Sequence, residues 1–249
     1  MQDFDPSGIA IQGKTRIFKG EYRSHGGTCL MNRSRQYGGL SRLSKAAALV
    51  FALAAPVSAE QVSILALGDS LTQGYGLIEQ NGLVPQMRVW LAEQGADVRL
   101  VNGGVSGDTT AGGFARAEWS LTEDIDAMMV ILGGNDMLRG IAPEAARANL
   151  AGILEVAKAK GVEVLLVGMK ASNNFGPDYK QAFDAIYPEL SAEYGTLLTE
   201  NFFAGLGVQD PSALRDLMQP DGIHPNAEGV ALIVEGLGPD VLALVAEIE

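Results

Sequence analysis

Val62-Ser63-Ile64-Leu65-Ala66-Leu67-Gly68-Asp69-Ser70-Leu71-Thr72-Gln73-Gly74 runs from an apolar segment straight into a glycine-bounded polar turn. Val62, Ile64, Leu65, Ala66 and Leu67 read as a short buried strand, and Gly68 ends it. Ser70 is then delivered at the carboxyl edge of a sheet, where open α/β folds place their ligands. A serine hydroxyl is a weak nucleophile until a base takes its proton. From residue 60 onward there is one histidine, His224, within Asp221-Gly222-Ile223-His224-Pro225. A carboxylate therefore stands three residues before the only imidazole of the body. Nucleophile, base and orienting group are all present.

Outward from that strand, apolar runs alternate with helical patterns, which predicts a parallel sheet with helices on both faces. Strands are expected at Val62–Leu67, Val98–Val101, Ala127–Leu132, Val162–Val167 and, shorter, Thr196–Leu198. Helices are expected near Val84–Gln94, over Thr109–Ser120 with Asp108 as candidate N-cap, from Pro143 to about Lys160 with Gly161 as C-cap, and from about Asp178 to Tyr194. A last helix begins near Asn226, with a break expected at Gly238-Pro239. Residues 60–249 read as one domain, with no internal repeat.

The chain divides in composition near residue 59. Residues 60–249 hold ten Lys/Arg against 27 Asp/Glu, a formal charge of −17, whereas the whole chain carries −12. So acidic a body repels phosphate backbones and anionic membrane surfaces, so neither nucleic acid nor a membrane surface is an expected partner. The single cysteine, Cys29, lies outside the body. No disulfide or thiolate metal site is available there, and one histidine argues against zinc; no metal is expected.

Residues 31–59 read as a cleaved export signal. Met31 is followed by Arg33, Arg35, Arg42 and Lys45, then by the apolar stretch Ala46–Val57, and Val57-Ser58-Ala59 supplies small residues for cleavage before Glu60. Twelve residues are too few to span a bilayer core of roughly 30 Å as a helix, so no stable membrane anchor is expected. Residues 1–30 lack periodicity and read as an upstream extension. Together these predict a periplasmic or secreted protein.

Three glycine-marked stretches follow the first three strands: Gly68-Asp69-Ser70, Gly104-Val105-Ser106-Gly107-Asp108 and Gly133-Gly134-Asn135-Asp136. In a parallel sheet all three gather at one edge. Acyl transfer from an ester needs a nucleophile, a base, and donors for the oxyanion that develops on the carbonyl. The backbone N–H groups of Ser70 and of a glycine in the second stretch, with the side-chain amide of Asn135, are candidate donors. Asp69, Asp108 and Asp136 read as turn or capping residues. The window Gly68–Thr72 is not Gly-x-Ser-x-Gly, so the α/β-hydrolase elbow does not apply.

In these motifs the sequence resembles the SGNH (GDSL) hydrolase superfamily, and within it the bacterial thioesterase I/protease I/lysophospholipase L1, or arylesterase, type. The resemblance rests on Gly-Asp-Ser-Leu-Thr at 68–72, Ser-Gly-Asp-Thr at 106–109, Gly-Gly-Asn-Asp at 133–136 and Asp-Gly-Ile-His-Pro at 221–225. Phe183-Asp184-Ala185-Ile186-Tyr187-Pro188 also looks like that family's penultimate helix. The resemblance implies a flavodoxin-like three-layer α/β/α sandwich with a five-stranded parallel sheet, and no metal or organic cofactor. It implies a Ser70–His224–Asp221 triad acting through an acyl-enzyme. It also singles out Gly107 rather than Gly104 as the oxyanion donor beside Ser70 and Asn135.

The expected substrate is a small acyl ester or thioester, with aryl esters, acyl thioesters and lysophospholipids all open. The loops Tyr75–Gly82 and Lys170–Pro177 are expected to flank the site, with Leu77, Ile78 and Phe175 as candidate acyl contacts. Where the family often has Pro or Leu-Pro, this chain has Lys170-Ala171-Ser172. A carbohydrate O-acetylesterase and a non-catalytic binding module remain alternative readings. The charge is compatible with a monomer or weak oligomer.

Overall fold

The computed structural model describes residues 61–207 and 211–248. The expected upstream extension (1–30) and export signal (31–59) lie outside the described residues. Five strands form one sheet: β1 (Val62–Gly68), β2 (Val98–Gly104), β3 (Ala127–Ile131), β4 (Glu163–Val167) and β5 (Leu197–Thr199). Their order is β2-β1-β3-β4-β5 and every pairing is parallel. All residues of β1 and β3 are buried, as expected of strands covered on both faces.

The helices, in chain order, are α1 (Ser70–Gln73), α2 (Leu83–Glu93), α3 (Thr110–Ser120), α4 (Gly134–Leu138), α5 (Pro143–Lys160), α6 (Pro177–Tyr194), α7 (Pro211–Asp216) and α8 (Ala227–Ala246). The chain moves one way across the sheet from β1 to β2, then reverses toward β3, β4 and β5. Right-handed crossovers then put the connecting helices on opposite faces. α2 and α8 pack together on one side, while α3, α5 and α6 form a row on the other. The expected α/β architecture with a five-stranded parallel sheet is present.

Two local expectations are corrected. Asp108 does not cap α3: Thr109 does, its side chain accepting from Gly112 N–H, and Asp108 instead pairs with Arg116. Nor does Gly238-Pro239 break the last helix. Pro239 has no N–H to offer the carbonyl of Glu235, but both residues face water, which satisfies that carbonyl. Leu237, Val241 and Leu244 stay in the core on the opposite face. α8 is long and apolar enough to cross a bilayer, yet its apolar face is packed against α2, β4 and β5.

The topology positions the site through register. Gly68 at the end of β1 is level with Gly104 on β2 and with Ile131 on β3. With strands roughly 5 Å apart, the segments leaving all three ends start within about 10 Å of one another. The order reverses between β1 and β3, which is where open sheets of this type form a crevice.

Candidate active site

Ser70 opens the four-residue helix α1, and Asp69 is its N-cap, accepting from Leu71 N–H at 3.0 Å. That cap turns the chain sharply out of β1 and leaves the Ser70 hydroxyl at the lip of the crevice. His224 lies opposite, in the turn between α7 and α8. Its Nε2 is 2.8 Å from Ser70 Oγ, and its Nδ1 is 2.7 Å from Asp221 Oδ2. The second oxygen of Asp221 accepts from Ile223 N–H at 2.9 Å and His224 N–H at 3.0 Å.

These bonds, the His224 N–H first, hold the Asp221 carboxyl down at about 2. Asp221 is thus ionised at any ordinary pH and offers acceptors only, so Nδ1 carries the proton that faces it. Nε2 is left as an acceptor for the serine hydroxyl. The tautomer that a general base requires follows from the turn itself.

Gly107 and Asn135 both line the same cavity as Ser70 and His224. Gly107 adopts φ +81°, a conformation L side chains rarely take, and its carbonyl accepts from Arg139 Nη2 at 2.8 Å. Among the described residues no hydrogen bond engages the backbone N–H of Ser70 or of Gly107. The Asn135 amide donates one hydrogen to Asp69 Oδ2 at 3.1 Å, and its second hydrogen remains for another acceptor. Three donors that sequence motifs had grouped are therefore together in space.

Several buried residues brace this edge. Arg116 is buried, donating to Asp108 Oδ2 at 2.7 Å and to Gly68 O at 2.8 Å, and so ties the Gly107 loop to the end of β1. Asp136 is buried and accepts from both the N–H and the hydroxyl of Thr110, rooting α4 on α3. Tyr187 donates to Leu132 O at 2.9 Å, fixing the exit of β3. Asp69 itself is buried, and desolvation pushes its carboxyl up to about 6 despite the bonds from Leu71 and Asn135. Asp69 and Asp136 thus do cap and brace, as their sequence positions suggested.

The cavity beside Ser70 measures about 760 Å³. Its apolar wall comes from Met137, Leu138, Met169, Phe203, Leu206 and Met218. Tyr75, Lys170 and Ser172 also line it, so both flanking loops contribute, but the three candidate contacts named from sequence do not. Leu77 faces a neighbouring polar cleft with Arg88 and Asn102. Ile78 is two-thirds exposed and Phe175 packs on Tyr179. Sequence reasoning missed the wall from residues 202–218 because short turns there interrupt any apolar period; Phe202-Phe203 was the one available signal. Among the described residues no group of His, Cys, Asp and Glu side chains is arranged to hold a metal ion.

The GDSL-like Lipase/Acylhydrolase family model matches residues 66–232. Esterase TesA of Pseudomonas aeruginosa is 39% identical over 183 residues, which cover 73% of this chain and 89% of that protein. Thioesterase 1/protease 1/lysophospholipase L1 of Escherichia coli K12 is 32% identical over 185 residues, covering 74% of this chain and 85% of that protein. A crystal structure of TesA superposes with a TM-score of 0.66 at 38% identity, covering 73% of this chain and 99% of that one. The chain belongs to the GDSL-like Lipase/Acylhydrolase family, a family of acyl-ester hydrolases.

Proposed function

We propose that this family member hydrolyses carboxylic esters and thioesters of apolar acyl chains, with Ser70 as nucleophile, His224 as general base and Asp221 as the group that orients it. The single observation that supports the roles most is the relay Ser70 Oγ to His224 Nε2 at 2.8 Å and His224 Nδ1 to Asp221 Oδ2 at 2.7 Å. Ser70 Oγ attacks the acyl carbon as its proton passes to His224 Nε2. The oxyanion is met by the N–H groups of Ser70 and Gly107 and by the free hydrogen of the Asn135 amide. The imidazolium, stabilised by ionised Asp221, protonates the departing alcohol or thiol. Water then repeats the sequence on the acyl-enzyme, with His224 again the base.

The lining of the cavity favours an apolar acyl group over the acetyl group of a modified sugar. Each buried methylene contributes roughly 0.8 kcal/mol, so kcat/KM is expected to rise up to about fourfold per added carbon until the wall is met. A series of p-nitrophenyl esters from acetate to decanoate, run beside an acetylated sugar, tests this. A best rate on the acetylated sugar overturns it. Covalent capture by a fluorophosphonate, abolished in Ser70→Ala, tests the nucleophile. We also propose that residues 31–59 direct export and are removed, and a mature chain beginning at Glu60 is the expected result of N-terminal sequencing.

A further inference from the structure

The hydroxyl–imidazole contact joins residues 154 positions apart, and little else holds the two segments together. Among the described residues, the hydrogen bonds linking 70–76 to 217–226 are the Ser70–His224 pair and one bond from Gln219. Gln219 Nε2 donates to Tyr75 O at 2.8 Å and to Pro225 O at 3.0 Å. One amide nitrogen thus grips the residue five past the serine and the residue one past the histidine. The backbone N–H of Gln219 donates to His224 O at 2.7 Å, so both ends of the same residue hold the His224–Pro225 backbone. On the other side, Tyr75 N–H donates to Ser70 O at 3.1 Å, and the Tyr75 ring packs against His224 with centroids 4.7 Å apart.

The neighbouring sequence makes room for this tie. Gly76 adopts φ +74°, and a Cβ there would stand 2.1 Å from Gln219 Oε1. Gln219 is half-buried and does not line the acyl cavity. Its amide is a connector between two turns, with no path to the substrate.

We infer that Gln219 is a positioning residue: its amide locks the turn following the nucleophile onto the turn carrying the base, and keeps the Tyr75 ring against the imidazole. This rests on the Ser70–His224 chemistry proposed above. A misplacement of about 1 Å between reacting groups lowers turnover by roughly 10²-fold. Loss of the tie therefore acts on kcat and leaves the acyl wall alone.

The test compares wild type, Gln219→Met and Gly76→Ala in p-nitrophenyl butyrate hydrolysis, fluorophosphonate labelling and thermal unfolding. Methionine keeps the length of the side chain but donates nothing; the alanine leaves Gln219 chemically intact and occupies its space. Both are expected to lower kcat by about 10- to 100-fold with KM changed less than about twofold. Labelling of Ser70 is expected to slow by the same factor, with acyl-chain preference unchanged. A folded Gln219→Met protein with kcat within about twofold of wild type overturns the inference. So does a loss of activity wholly accounted for by unfolded protein at the assay temperature. A wild type that neither hydrolyses the ester nor takes the probe overturns the catalytic reading itself, and this inference with it.

Discussion

Ser70 and the proposed oxyanion donors stand just past the ends of three hydrogen-bonded strands, whereas His224 stands in a ten-residue stretch between α7 and α8. On the sheet side each functional group has a buried brace: Asp69 for Asn135, Arg116 for the Gly107 loop, Asp136 for α4. On the turn side the groups are more exposed, and Asp221 secures His224 from only three residues away. The contrast teaches that one half of the site is set by the core and the other by local turn chemistry. Substitutions in the two halves are therefore expected to separate activity from stability.

His224→Ala is expected to have the largest effect. Turnover is expected to fall by on the order of 10⁴–10⁶ with an unchanged unfolding midpoint, because the turn carries little of the core. Esterase assay beside thermal denaturation decides it, and substantial residual turnover would remove the imidazole from the mechanism. Next in size, Asn135→Ala is expected to lower kcat by about 10²–10³ while KM moves little.

Arg116→Met probes the sheet side through stability. It leaves the largely buried Asp108 carboxylate without its partner and removes one of the two donors to Gly68 O, the other being Val105 N–H. A loss of about 2–4 kcal/mol in urea unfolding is expected. An unchanged stability would mean that the Gly107 loop is held by its own turn, as the histidine is.

The smallest effect has the opposite sign. Burial pushes the Asp69 carboxyl up to about 6, above the ordinary aspartate value of 3.8, and so favours the protonated form. Its contribution to stability is least unfavourable below pH 3.8 and falls as pH rises through about 6. Asp69→Asn is therefore expected to stabilise the fold at pH 8 by about 1–3 kcal/mol, with the gain shrinking toward pH 4. Urea melts at the two pH values check this; a gain independent of pH would contradict it. Such a variant would be sturdier with a less well held oxyanion amide, a trade common at functional sites.

The sequence was most legible where one physical rule acted alone. β1 and β3 are covered on both faces, so Val62–Leu67, with Ser63 its one polar residue, and Ala127–Leu132 are apolar runs. The chemistry-bearing residues were legible because glycines mark each strand exit and the body has one histidine. Legibility failed where rules compete. Asp108 and Thr109 are both good caps, and a buried arginine claimed the aspartate. Pro239 is a helix breaker unless its missing bond faces water, which a linear pattern does not reveal. The apolar wall of the cavity was least readable, since Met137, Met169, Phe203 and Met218 come from four separate segments of the chain. No period in the sequence joins them, and only the tertiary arrangement does.

The order of the chain has a consequence for when this protein can act. His224 and Pro225 immediately precede Asn226, the N-cap of α8, so the imidazole is seated where α8 begins. Under the proposed roles, a chain whose α8 has not docked holds Ser70, Gly107 and Asn135 but lacks a seated base. In the proposed mechanism the serine stays idle until α8 docks and seats its base.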